Sequence, residues 1–165
     1  MIRHVVRTAL EANLAPVLVI VDAYSEEIQA ALDDLAVQFI LNPHREEGQS
    51  ASIQAGIKAL PGETGGAVFL LGNQPQIPAE PVRALVDAHS QTREGIIAPL
   101  IAGQPSNPVL FDRDRFGELL KLKGDAGARQ ILEQFAAHGV PWNDPNLQRD
   151  LDTPEDTLRL LNEGL

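Results

Sequence analysis

The chain has 165 residues, 44% of them hydrophobic and 22% charged, enough for one globular domain, 1–165, with a real core and no covalent staples. It contains no cysteine, which excludes disulfides, zinc-thiolate sites, thiol nucleophiles and iron-sulfur ligation and suits a cytoplasmic protein. A formal net charge of -10 leaves no basic footprint for nucleic acid or an anionic membrane, no apolar run approaches a membrane span, and Met1-Ile2-Arg3-His4 does not open a signal peptide.

Helical spacing of Val5, Val6, Ala9, Leu10 and Leu14 predicts a first helix, ended by Ala15-Pro16 because a residue before proline is pushed out of the helical region. The apolar run 17–21 follows as a buried strand. Ser25 opens a second helix with Ile28, Ala31, Leu32 and Leu35 on one face, and 37–41 returns as a strand. A helix over 50–60, a strand over 67–71 and a helix over 80–89 with Pro81 in its first turn continue the alternation. Strands that are apolar throughout, alternating with amphipathic helices, indicate an α/β fold with a mostly parallel sheet covered on both faces. After His89 the rhythm changes: 95–101 and 108–111, parted by 102–107, predict a hairpin or a pair of strands around a long turn. Helices are expected over 113–121, 126–138 and 154–162, and no repeat, low-complexity tract or long linker divides the chain.

The richest segment chemically is 42–56, between a strand and a helix start, where free N–H groups and the helix dipole can hold an anion or a polar ring. Gly48 permits close approach, and Gln49, Ser50 and Ser52 offer amide and hydroxyl groups to a nucleobase edge or a ribose, although serines here also suit a plain helix cap. Gly72-Asn73-Gln74-Pro75 follows the C-terminal end of a predicted parallel strand, where ligands collect in open α/β sheets. Asn73 can offer a cation a carbonyl oxygen but no charge, so magnesium would be held weakly; an asparagine turn stiffened by Pro75 accounts for the same residues. Asp150 and Asp152 alternate on an extended segment and so share a side, before Thr153 and Pro154 open a helix. They could hold magnesium beside a triphosphate or merely favour the helix start. Gly124-Asp125-Ala126-Gly127-Ala128-Arg129 is either a bare helix entry or a contact for an anionic group. His4, His44, His89 and His138 lack metal-ligand spacing and are expected as surface or cap residues.

Taken in order, 42–56, 71–75, Asn107-Pro108-Val109-Leu110-Phe111, 124–129 and 150–156 resemble the molybdenum-cofactor nucleotidyltransferases, the cytidylyltransferase branch more than the guanylyl branch. The resemblance covers nearly the whole chain. It implies a Rossmann-like nucleotidyltransferase fold of three layers and a magnesium-dependent transfer of CMP from CTP to the molybdenum cofactor, or a related phosphorylated acceptor, with release of pyrophosphate. It implies nucleotide contacts at Gly48, Gln49, Ser50 and Ser52, metal ligands at Asn73 and Asp152, and acceptor contacts at Asn107, Gly124, Asp125 and Arg129, while assigning no catalytic residue. Family members begin with a strand and a Leu-Ala-Ala-Gly-x-Ser-x-Arg-Met-Gly loop, and Met1-Ile2-Arg3-His4 matches the part just beyond them. The sheet is therefore expected to miss the family's first strand and to show an open edge, which a homodimer could cover. Asn73 stands where the family places a metal-binding aspartate, so activity is expected to be weakened or lost. The alternative is a pseudoenzyme that binds nucleotide or pterin without turnover, or a homo-oligomerising remnant.

Overall fold

The computed structural model describes residues 1–23, 25–125, 127–144, 147, 151, 153, 155, 156 and 158. In chain order the elements are α1 (Ile2–Glu11), β1 (Leu18–Val21), α2 (Glu26–Ala31), β2 (Gln38–Leu41), α3 (Gln49–Ala59), β3 (Gly66–Phe69), α4 (Ala79–Thr92), β4 (Ile96–Ile101), β5 (Gln104–Pro105), β6 (Val109–Asp112), α5 (Phe116–Leu119), α6 (Arg129–Gln134) and β7 (His138–Pro141). Short 3-10 turns occupy Arg45–Glu47 and Arg113–Arg115.

Through α4 the elements follow the apolar periodicity. Pro81 sits in the first turn of α4, where its missing N–H has no intrahelical acceptor to lose, and the helix stops at Arg93 in the left-handed conformation, φ 56°. The expected face of α2 is only partly used: Leu32, just past the helix, is fully buried, while Ile28 is exposed.

Two expectations need correction. The helix over 113–121 is a 3-10 turn followed by the single turn α5. The helix over 126–138 shortens to α6: Phe135 turns extended, φ -129° and ψ 130°, and His138–Pro141 becomes a strand beside β4. Gly139 makes that approach feasible, because the Leu100 side chain fills the space a Cβ there would need. Of 154–162, only Glu155, Asp156 and Leu158 lie among the described residues, and they are helical.

β1 and β2 pair in parallel, as do β4 and β7, whereas β6 runs antiparallel to both β3 and β4. It follows that β3, β4 and β7 point one way and β6 alone reverses between them, with β5 closing a tight hairpin on the end of β4. Alternate residues separate the two faces. Ile96 and Ala98 of β4, Val109 and Phe111 of β6 and Phe69 of β3 meet Ile53 and Ile57 of α3, Leu119 of α5 and Ile131 of α6. Phe69 and Phe111 stack edge to face, 5.3 Å between ring centres. On the other face Ile97, Leu110 and Val68 meet Leu85 of α4, and Leu70 and Ile101 join Val82 of α4 and Ala12 at the end of α1. The result is three layers, helix, sheet and helix.

The sheet is interrupted as expected. Val19 and Val21 of β1 share a cluster with Val6 of α1, while Ile20 faces Gly56 of α3. Since β3 also lies between α1 and α3, β1 and β3 occupy one layer under the same two helices, yet no ladder joins them among the described residues. Each keeps one unpaired edge there.

Candidate functional site

The direction of the strands locates the site. Leu10, late in α1, and Leu14, just past it, line a pocket with Val17, Val37 and Gln38, where β1 and β2 begin. At the other end of that helix, about 15 Å away at 1.5 Å per residue, Ile2 touches Gly72 just past the end of β3. The carboxyl ends of β1, β2 and β3 therefore share one side. β4 runs with β3 and ends there too, and β6, reversed, begins there with Asn107 just before it. In open α/β sheets this is the crevice in which ligands bind.

α3 starts in that crevice. Gly48, its N-cap, holds φ 89° and ψ -170°, a region essentially reserved for glycine, and no side chain caps the helix. The first turn of α3 has no acidic residue of its own. Its cap comes from a remote turn: the Ser50 N–H donates to the Gly124 carbonyl at 3.1 Å. A Cβ on Gly48 would lie 2.5 Å from Asp125 Oδ1, and one on Gly127 would collide with the Gln49 amide oxygen. Farther along α3, Gln54 Nε2 donates to the Leu122 carbonyl at 2.9 Å. The structure thus brings Gly48, Gln49, Ser50, Gly124 and Asp125 into one contact set. Ser50 is buried, whereas Gln49, Gly124 and Asp125 are exposed.

Ser52 points the other way. Its hydroxyl accepts from Asn42 Nδ2 at 2.9 Å, and Asn42 Oδ1 accepts the His44 N–H at 3.0 Å. Asn42 is a buried residue that sequence reasoning did not single out, although Asn-Pro at a strand end is a recognised turn opener. Asp22, at the end of β1, was also passed over, and it pairs with Arg45 at 2.5 Å.

Of the remaining predicted residues, Asn73, Asn107 and Arg129 fall at the same end of the sheet. The carbonyl of Asn73 accepts the Leu151 N–H at 2.9 Å; Asp152 lies outside the described residues. Asn107 precedes β6, and Arg129 is exposed at the start of α6, two residues past Gly127. Among the described residues one group has metal-binding potential: His44, Glu46 and Glu47, all exposed, offer ligand atoms within 4.8 Å of one another.

His89 departs from the expectation of surface or cap histidines. It is buried in the last turn of α4 with Nε2 2.7 Å from Asp112 Oδ2. Asp112 faces Gly66 at the start of β3, so the pair lies at the end of the sheet away from the crevice and holds α4 to β6. Burial opposes the charge of Asp112, but the Asp114 N–H, the His89 ring and Arg93 together hold its carboxyl below the usual range.

Comparison with known proteins agrees with this geometry. The purine catabolism protein PucB of Bacillus subtilis strain 168 is 34% identical over 115 residues, covering 67% of this chain and 55% of PucB, so the chain spans about half the length of that relative. The crystal structure of Rv0371c from Mycobacterium tuberculosis H37Rv superposes with a TM-score of 0.81 at 24% identity, covering 98% of this chain and 83% of that one. A manganese complex of the same protein gives 0.79 at 23% identity over 98% and 86% of the two chains. CMP:2-keto-3-deoxy-manno-octonic acid synthetase complexed with CTP gives 0.70 at 14% identity over 99% and 88%. These likenesses establish the α/β nucleotidyltransferase fold. Residues 1–140 match the MobA-like NTP transferase domain, and the chain belongs to that family.

Proposed function

We propose that this domain, 1–165, takes CTP at the first turn of α3 and a molybdenum cofactor, or a related phosphorylated acceptor, from the side of Asn107, Gly124, Asp125 and Arg129. An acceptor phosphate oxygen attacks the α-phosphorus of CTP, a new P–O bond forms, the α–β bridging bond breaks and pyrophosphate leaves. The observation that carries this reading is the start of α3 in the crevice, with Gly48 free of a side chain, Gln49 exposed and no acidic residue in the helix's first turn.

Attack of one anion on another depends on position and charge neutralisation. The start of α3 at Gly48 and Ser50 supplies the positive end of the helix dipole, Gln49 a polar group for base or ribose, and Arg129 a cation for the acceptor, while Ser52 supports the helix start through its bond to Asn42. Asn73 and Asp152 would hold magnesium, which when bound neutralises phosphate charge and draws off the leaving group's electrons. With a neutral amide at Asn73 that site is weak and transfer is slow. The titration that tests the proposal is calorimetric, with CTP and with GTP, with and without magnesium. Saturable, magnesium-dependent CTP binding is expected, and no heat with either nucleotide would refute it. On this reading the domain works in the cytoplasm without nucleic-acid or membrane partners; among the described residues no helix is long and apolar enough to cross a membrane.

Asn73 also favours a second reading, a pseudoenzyme that binds nucleotide or pterin and releases no pyrophosphate. The unpaired edges of β1 and β3 support a homodimer in either case. Light scattering across a concentration series checks this, and a monomer at the highest concentration would overturn it.

A further inference from the structure

We infer that the Gly124–Asp125 turn is an internal occupant of the nucleotide site, which an incoming nucleotide must displace. The inference rests on the reading of the α3 start as that site and adds its regulation. A helix start with no acidic residue and no side-chain cap should attract an anion. Here the chain supplies one from far along the sequence: the Asp125 carboxylate lies against Gly48, and the Gly124 carbonyl takes the Ser50 N–H. Gly127 against Gln49 and the Gln54 bond to Leu122 fix the turn in register along α3.

These contacts use the groups that a nucleotide would use. Gly124 presents a carbonyl to a donor that would otherwise meet a phosphate or ribose oxygen, and Asp125 sets a negative charge where the triphosphate must approach. The turn is exposed and Gly124 holds φ +63°, so lifting it uncovers little apolar surface. Its Gly-Asp-Ala-Gly-Ala-Arg segment is also the one assigned to the acceptor side. Displacement by nucleotide frees that segment for the acceptor, which makes binding ordered, nucleotide first.

The test is the affinity of CTP with magnesium for the full chain and for Asp125→Asn and Gln54→Ala, together with hydrogen exchange of 122–125 before and after CTP. Removing the competing charge or loosening the turn should tighten CTP binding by roughly two- to thirtyfold, the range of a charge at a helix terminus. Added CTP should speed exchange at 122–125 in the unmutated chain. If that chain binds CTP but the variants bind equally or more weakly, or 122–125 becomes more protected, the turn is a ligand contact and the displacement is wrong. If neither the chain nor its variants bind CTP or GTP, the nucleotide reading fails and takes the displacement with it.

Discussion

Gly48→Ala tests the geometry at the head of α3. At φ 89° and ψ -170° an alanine is strained whatever space surrounds it, which costs on the order of 1–3 kcal/mol. Its Cβ would also lie 2.5 Å from both the Gly124 carbonyl carbon and Asp125 Oδ1. The helix N-cap cannot shift far, because Ser50 is buried behind it, so the exposed turn must move and the Ser50–Gly124 bond is lost. A bond of that kind contributes about 0.5–1.5 kcal/mol. The two effects sum to about 1.5–4.5 kcal/mol. Urea unfolding followed by circular dichroism reads this as a lower midpoint at unchanged slope, about 0.8–2.2 M for a slope near 2 kcal/mol per molar. Hydrogen exchange should locate the loosening at 122–125. A loss under about 0.5 kcal/mol with 122–125 still protected would refute the assigned backbone conformation and the contact together.

Asn73→Asp should restore charge at the expected metal position and raise magnesium-dependent pyrophosphate release from CTP by about 10²–10³, the usual effect of one charge-stabilising group; a pyrophosphate assay with no gain would remove Asn73 as the cause of slow transfer. Ser52→Ala leaves the buried Asn42 Nδ2 without its acceptor and should cost about 1–3 kcal/mol in urea unfolding, whereas a neutral result would show that Asn42 finds another partner. His89→Ala removes the partner of a largely buried carboxylate and should destabilise by about 1–3 kcal/mol at neutral pH, read as a lower melting temperature. Asp112 is held below its ordinary value of 3.8, so its contribution is complete above that pH and is lost as pH falls through the lower folded value. Asp112→Asn should therefore flatten that part of the acid unfolding curve, and an unchanged curve would show that other carboxylates govern it.

The elements up to α4 were legible because each is long enough for its apolar period to be counted: Val5, Val6 and Ala9 mark α1, and the apolar run at 18–21 and the mostly apolar 38–41 mark parallel strands. The head of α3 was legible from Gly48-Gln49-Ser50 for the same local reason, since a helix start is written in the residues beside it. β7 was not: Ala136, Ala137 and His138 continue a helix-compatible stretch, and the strand exists only because β4 offers a ladder and Leu100 needs the space beside Gly139. His89 and Asp112 lie 23 residues apart, and nothing local marks them as partners until α4 packs across β6.

For the site the division is the same. Sequence alone determined which residues have suitable chemistry, Gly48, Gln49, Ser50, Asn73, Gly124 and Asp125 among them, because side-chain type and backbone freedom are properties of each residue. Only the tertiary structure decided that the Gly124–Asp125 turn caps α3 while Ser52 turns inward to Asn42. Those pairings depend on how near a turn far along the sequence is carried back by the sheet, and chain separation in sequence sets no such distance.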